Sequence, residues 1–93
     1  MKSFTILRGR GKANVGKVVT ILEVTEEIAL VKMGRTNFEI CLNGKTLEEK
    51  LNKCNEAWAE ANTEHGYTAS FDMYKIGSNR RGGIGVYDLE INY

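Results

Sequence analysis

Two segments of this sequence combine glycines with cationic side chains, a combination suited to anion binding. They are RGRGKANVG at residues 8–16 and GSNRRGG at residues 77–83. An arginine flanked by glycines can approach a phosphate or a carboxylate closely, and backbone amides can then assist. The alternative is a purely solvating role, because hairpin connections are often polar and glycine-rich. The candidate partner-binding residues are the cations of these segments and the lysine that follows the first: Arg8, Arg10, Lys12, Lys17, Arg80 and Arg81.

Charge is unevenly distributed along the chain. There are 13 Lys and Arg against 12 Asp and Glu, a formal net charge of +1, which excludes attachment to DNA or membrane by bulk charge alone. The first 17 residues nevertheless hold five cations and no acid, whereas residues 46–65 hold five glutamates and two lysines. The acidic segment supplies an alternative partner-binding face, formed by Glu49, Glu56 and Glu60.

Residues 11–17, GKANVGK, resemble the start of the GxxxxGK[ST] phosphate-binding loop of small GTPases. In that motif a hydroxyl after the lysine holds magnesium, and the N-terminus of a helix receives the phosphate. Here Val18 takes the hydroxyl position, and the residues that follow, VVTILEV, are typical of a strand. The chain is also too short for the rest of a nucleotide-binding sheet. We therefore expect a hairpin connection at this point, no nucleotide cofactor and no triphosphatase activity.

No set of residues suited to hydrolytic or transfer catalysis stands out. His65 is the only histidine, and it falls at a predicted helix end, while Cys41 and Cys54 are predicted to face inward or lie within a strand. A structural zinc site uses about four nitrogen or sulfur ligands, more than these three residues offer. Two cysteines do not form a disulfide framework. We expect reduced thiols, a cytoplasmic location, no metal, no cofactor and no enzymatic activity.

The composition predicts one globular domain spanning residues 1–93. Hydrophobic residues make up 42% and charged residues 27%, as in ordinary globular domains. The longest purely apolar run is Ile28–Val31, far short of the ~20 residues that a membrane-spanning helix needs. A secretory signal is also not expected, because the N-terminus lacks its apolar stretch. We therefore expect no membrane attachment.

Residues 46–65 predict a single amphipathic helix. Thr46 and Glu49 have the spacing of a capping box, in which each side chain satisfies a free backbone amide. Apolar residues then recur from Leu47 to Trp58 at spacings of four and three, which places them on one stripe. Gly66 can take the left-handed conformation that ends a helix. Trp58 lies within the stripe, so we expect it to be buried between helix and sheet.

The remaining chain has the β-branched and alternating composition typical of strands. Six strands are predicted, at residues 4–7, 17–24, 28–33, 36–42, 67–76 and 84–93. The apolar face of the last strand shifts by one residue after Val86, which predicts a β-bulge. Short connections favour antiparallel pairing, and a helix with one apolar stripe needs one sheet face.

The predicted fold is therefore α+β, in the order β-β-β-β-α-β-β. A mostly antiparallel sheet with free edges carries the amphipathic helix on one face. The predicted core consists of Phe38, Ile40, Leu47, Leu51, Trp58, Phe71, Leu89 and Ile91.

Two classes of function remain. The first is a small non-enzymatic protein-binding module that docks through the basic segments or the acidic helix face. In size and composition the chain is similar to the small inhibitors made by phages and mobile elements, which block larger host enzymes such as nucleic-acid-guided nucleases. The second class is a nucleic-acid-binding domain, in which the basic segments contact phosphates and Tyr74, Tyr87 or Tyr93 stacks on bases. A salt-dependent interaction with plain DNA or RNA would distinguish the two classes.

Overall fold

Six strands and one helix follow one another in the predicted order in the computed structural model, which describes residues 1–64, 71–77 and 83–93. The strands are β1 (Ser3–Gly9), β2 (Val18–Val24), β3 (Ile28–Met33), β4 (Thr36–Cys41), β5 (Phe71–Lys75) and β6 (Ile84–Asn92). Helix α1 (Leu47–Glu64) connects β4 to β5, and a 3-10 turn (Lys12–Asn14) lies between β1 and β2. The predicted helix end at His65 and Gly66, the predicted first residues of β5, and Arg80 and Arg81 lie outside the described residues.

The strands form a closed antiparallel barrel rather than an open sheet. Each strand pairs with the next along the chain, and β6 pairs back onto β1 from Ser3↔Asn92 to Gly9↔Val86. The α+β class and the antiparallel pairing are confirmed. The expectation of free sheet edges is wrong, because the two strands at the chain ends satisfy each other's hydrogen-bonding edges.

Inward-facing apolar residues of all six strands fill the barrel. The rings of Phe4 and Phe71 meet edge to face with centroids 6.1 Å apart. Six residues of the predicted core are buried, and Ile91 is partly buried against them. Trp58, which was also expected in the core, is only half-buried. The six buried residues are Phe38, Ile40, Leu47, Leu51, Phe71 and Leu89.

The predicted bulge in β6 is confirmed at Tyr87. The pairing of β6 with β1 runs Ile6↔Leu89, Arg8↔Asp88 and Gly9↔Val86, so Leu7 is the extra residue on β1 and Tyr87 the extra residue on β6. Bulges of this kind change the direction in which a side chain points. The shift keeps both Val86 and Leu89 buried although they are three positions apart.

Helix α1 begins at the predicted capping box. The backbone N–H of Glu49 donates to Thr46 Oγ1 at 3.1 Å, and the N–H of Thr46 donates to Glu49 Oε1 at 3.2 Å. The apolar stripe of the helix enters the core through Leu47, Leu51 and Cys54. The helix therefore packs on the barrel through the first part of the predicted stripe.

Helix α1 packs along β6, and two of its side chains form hydrogen bonds with the backbone of that strand. The thiol of Cys54 donates to the carbonyl oxygens of Val86 and Tyr87, both at 3.5 Å, and the N–H of Leu89 donates to Asn55 Oδ1 at 3.0 Å. Within the described residues, β5 pairs with β6 only at its Ile84–Val86 part. The helix thus covers a stretch of β6 that has no described partner in β5.

Candidate interaction surface

The barrel topology gathers three connections at one end. In a sequential antiparallel barrel the chain reverses at every strand, so the β1–β2, β3–β4 and β5–β6 connections share one end and the β2–β3 turn lies at the other. The described residues of these three connections are 10–17, 34–35, 76–77 and Gly83. These residues, together with the two residues of each strand that lie next to a connection, are called the loop end below.

Every described charged side chain at the loop end is a cation. Four of them were predicted from the sequence as partner-binding residues, and those of the β3–β4 turn and its neighbours were not. A single arginine in a two-residue turn carries no signal of its own, and antiparallel reversal of the strands places it at the same end of the barrel as the other basic residues. The cations are Arg8, Arg10, Lys12, Lys17, Lys32, Arg35 and Lys75.

Two of these cations are held by carboxylates from distant strands. Arg8 Nη1 donates to Asp88 Oδ2 at 2.7 Å, and Arg10 Nη2 donates to Asp72 Oδ1 at 3.2 Å. Arg8 therefore links β1 to β6, and Arg10, which follows the last residue of β1, links this end of the strand to β5. Both residues were predicted to bind a partner. The structure shows that each also forms an ion pair within the protein, which was not predicted from the sequence.

Arg10 lies across the backbone of Gly85. A Cβ added to Gly85 would stand 3.2 Å from Arg10 Cβ and 3.3 Å from its Cζ. The Arg10 side chain also reaches the carbonyl oxygen of Gly83 at 3.5 Å. The pKa of Arg10 is raised above its ordinary value by a hydrogen bond with Tyr87 and by the charge of Asp72. A glycine in β6 thus makes room for the second arginine of the first basic segment.

Trp58, Tyr87 and Arg8 form a layered cluster at the margin of the helix–barrel contact. The two rings are parallel within 4° with centroids 6.2 Å apart, and Arg8 Cζ stands 5.4 Å from the centre of the Trp58 ring. Ring stacking and the cation–π contact both favour this order. The prediction that Trp58 is buried in the core is wrong, because its ring is only partly buried and contacts Tyr87 and Arg8 outside the core.

The three tyrosines that were proposed to stack on bases do not form a group of exposed rings at the loop end. Tyr74 is half-buried, and a Cβ at Gly83 would stand 2.8 Å from its ring. Tyr87 is stacked on Trp58. Tyr93 is 74% exposed, but it follows the last residue of β6 at the opposite end of the barrel.

Aliphatic side chains are exposed among the cations of the loop end. Val15, Val18 and Ile76 are 46%, 50% and 45% exposed. Leu7, 41% exposed, follows Ile6, whose backbone is hydrogen-bonded to both Gly16 and Lys17. These side chains give the loop end apolar area beside its positive charge.

The alternative acidic face on α1 is of mixed charge. Glu49, Glu56 and Glu60 are exposed, as that interpretation requires. Glu49 is already engaged in the capping box. A shallow groove along this face is lined by Lys45 and Lys53 as well as by Glu49 and Glu56. The helix therefore presents alternating charges instead of a uniformly acidic surface.

The segment that resembles a phosphate-binding loop folds as a hairpin connection. Its residues Lys12–Asn14 form the 3-10 turn, and β2 follows at Val18. The expected strand after Lys17 is confirmed, so a strand takes the place of the helix that follows the lysine in that motif. An anion at the loop end would consequently meet cationic side chains and not the backbone N–H groups of a helix N-terminus.

The two cysteines are free thiols in different surroundings. Cys41 is half-buried and Cys54 is buried. Burial is the largest cause that raises the pKa of Cys54, to about 11, and the charge of Asp88 adds to it. Cys54 is therefore a protonated thiol at neutral pH and a weak nucleophile. Among the described residues, no three His, Cys, Asp or Glu side chains come together in a way that could hold a metal ion.

Comparisons with known proteins add no assignment to this surface. No family model, no curated protein and no solved structure matches the chain. Over the described part of the chain, no helix combines the length and the apolar character needed to cross a membrane.

Proposed function

We propose that this chain is a small non-enzymatic protein-binding module that docks through the loop end of its barrel. The observation that carries the proposal is the exposure of Val15, Val18 and Ile76 among basic side chains. Apolar side chains surrounded by a polar rim are the common arrangement of protein interfaces. Occupying a site on a larger protein needs no catalytic residue. The proposal therefore includes an inhibitor that docks on a host enzyme such as a nucleic-acid-guided nuclease.

A nucleic-acid-binding domain is the second candidate, because the described charges of the loop end are all positive. Surfaces that bind single strands usually combine such charge with aromatic faces for stacking. Here the exposed apolar side chains are aliphatic, and Tyr74 and Tyr87 pack against the protein itself. This difference favours a protein partner over a nucleic acid.

Photo-crosslinking at two positions of one strand tests the proposal. A benzophenone amino acid replaces Val18 at the loop end or, as the matched control, Leu22 toward the other end of β2. Val18 and Leu22 are 50% and 48% exposed, so they differ in place and not in accessibility. In extract of the source cell, we expect a nuclease-resistant protein adduct from position 18 and none from position 22. An adduct that nuclease removes would instead support the nucleic-acid-binding domain.

The acidic helix face is tested in the same assay. Glu56→Lys together with Glu60→Lys reverses charge on α1 without touching the capping box. The adduct from position 18 should form with unchanged yield. Loss of that adduct, with unchanged stability, would make the helix face the interface and contradict docking through the loop end.

A further inference from the structure

We propose, on the basis of the function proposed above, that the partner presents a cluster of Asp and Glu side chains to the loop end. The occupant is thus an acidic protein surface, with carboxylates set around apolar side chains. Charge complementarity between the two surfaces carries this inference.

The cations and exposed aliphatic residues of the loop end, called the rim below, lie on neighbouring strands and connections at one end of the barrel. Val19 pairs with Met33, so the β1–β2 connection, which ends at Lys17, and the β3–β4 turn, which contains Arg35, adjoin the same end of the β2–β3 pair. This register places cations on two neighbouring connections at one end of the barrel.

The next strands extend the same rim. The N–H of Ile76 donates to the carbonyl oxygen of Asn37 at 3.1 Å, which brings Ile76 next to β4 just after the β3–β4 turn. Exposed aliphatic side chains thus lie in or next to the β1–β2 and β5–β6 connections, and Arg35 lies in the β3–β4 turn at the same end of the barrel.

Carboxylates of the described residues compensate some of the positive charges on this rim but not all of them. Asp72 and Asp88 pair with Arg10 and Arg8. Lys12, Lys17 and Arg35 form no ion pair with any other described residue. Neighbouring like charges repel one another, so an approaching acidic surface relieves this repulsion and is attracted before contact. Such attraction speeds association and weakens with added salt.

These side chains favour an acidic protein partner over a nucleic acid or a second copy of this chain. A nucleic acid would supply negative charge but would find aliphatic side chains where bases need stacking partners. A second copy could approach with Glu26 and Glu27, which lie at the opposite end of the barrel. That head-to-tail contact would not close and would lead to open chains of molecules.

Two double variants with the same change in net charge test the inference. Lys12→Glu with Lys17→Glu reverses charge on the rim, and Lys2→Glu with Lys53→Glu reverses two exposed lysines elsewhere. The probe is a fluorescent peptide of alternating glutamate and leucine, compared with a lysine–leucine peptide and a single-stranded oligonucleotide by fluorescence anisotropy. Each protein is also carried into the position-18 crosslinking assay.

We expect salt-sensitive binding of the acidic peptide that is weakened about ten-fold or more by the rim variant and about two-fold or less by the control. The rim variant should also reduce the position-18 adduct. Equal loss in both variants overturns the inference, because bulk charge would then explain binding. Tighter, rim-dependent binding of the oligonucleotide overturns it in favour of a nucleic acid. Concentration-dependent assembly in sedimentation that the rim variant abolishes overturns it in favour of a second copy.

The two proposals fail in different ways. If the rim variant changes neither the peptide affinity nor the adduct yield while the wild-type adduct forms, the partner is not acidic and docking through the loop end still stands. If the wild-type protein forms no protein adduct from position 18, docking through the loop end itself is contradicted.

Discussion

The indole ring of Trp58 lies parallel to the phenol ring of Tyr87, with 4° between their planes and 6.2 Å between their centres. Tyr87 reaches this position because it is the extra residue of the β6 bulge. Arg8 stands against the same indole and bonds Asp88 on β6. One cluster thus joins α1, β1 and β6 outside the apolar core.

Trp58→Ala should lower the free energy of unfolding by about 1–3 kcal/mol, since it removes a ring stack, a cation–π contact and half-buried area. Leu51→Ala should cost more, about 2–5 kcal/mol, because Leu51 is 0% exposed in the core. Urea denaturation of both variants measures the difference. Trp58→Phe, which keeps a ring for stacking, should recover part of the loss. A larger cost for Trp58→Ala than for Leu51→Ala would contradict the marginal position of the indole.

Gly9→Ala should destabilise the barrel by about 1–3 kcal/mol. The added Cβ would stand 2.6 Å from the carbonyl oxygen of Gly85, which belongs to the backbone of β6 and cannot move without opening the β1–β6 seam. Gly85→Ala is the matched comparison, because its closest approach would be milder: 3.2 Å to Arg10 Cβ and 3.3 Å to the movable Cζ and Nε of Arg10. Thermal unfolding should therefore show the larger loss for Gly9→Ala. Equal losses would mean that Arg10 is held as rigidly as the backbone.

Cys54 should make stability depend on pH in the alkaline range. Its pKa is raised from 9.0 to about 11 in the folded protein, so between these values the unfolded chain releases a proton that the folded chain keeps. The unfolded state is then favoured, and the contribution to stability is complete below pH 9 and lost as the pH rises toward 11. Chemical denaturation at several pH values, compared with Cys54→Ala, isolates this effect from other titrating groups. Parallel curves for the two proteins would contradict it.

The loop-end cations should divide into structural and binding residues. Arg8→Ala should lower the free energy of unfolding by about 1 kcal/mol, because it removes a partly exposed ion pair and a cation–π contact. Lys12→Ala and Lys17→Ala should change it by less than about 0.5 kcal/mol, since exposed side chains without such contacts contribute little. Thermal melts of the three variants, with Asp88→Asn as the partner of Arg8, provide the measurement. A large loss in either lysine variant would show a structural contact and weaken its place in the docking surface.

Local features of the chain could be predicted from the sequence because their physical causes act within a few residues. The capping box of Thr46 and Glu49 closes over three positions, and helical spacing places Leu47 and Leu51 on one face whatever the helix packs against. Strand β3 occupies the predicted residues 28–33. The shift of apolar residues along β6 predicted the bulge for the same reason, since side chains alternate at every residue of a strand.

The tertiary structure alone decided which distant residues meet. Neither barrel closure nor the pairing of Arg8 with Asp88, 80 positions later, leaves a pattern within a short window of sequence. Trp58 has the spacing of a core residue, yet the bulge at Tyr87 gives it a partner outside the core. That Arg35 and Lys17 lie at the same end of the barrel likewise depends on antiparallel reversal of the strands. These relationships arise because long-range pairing is determined by the balance of packing over the whole barrel, whereas turns and caps are determined by neighbouring residues.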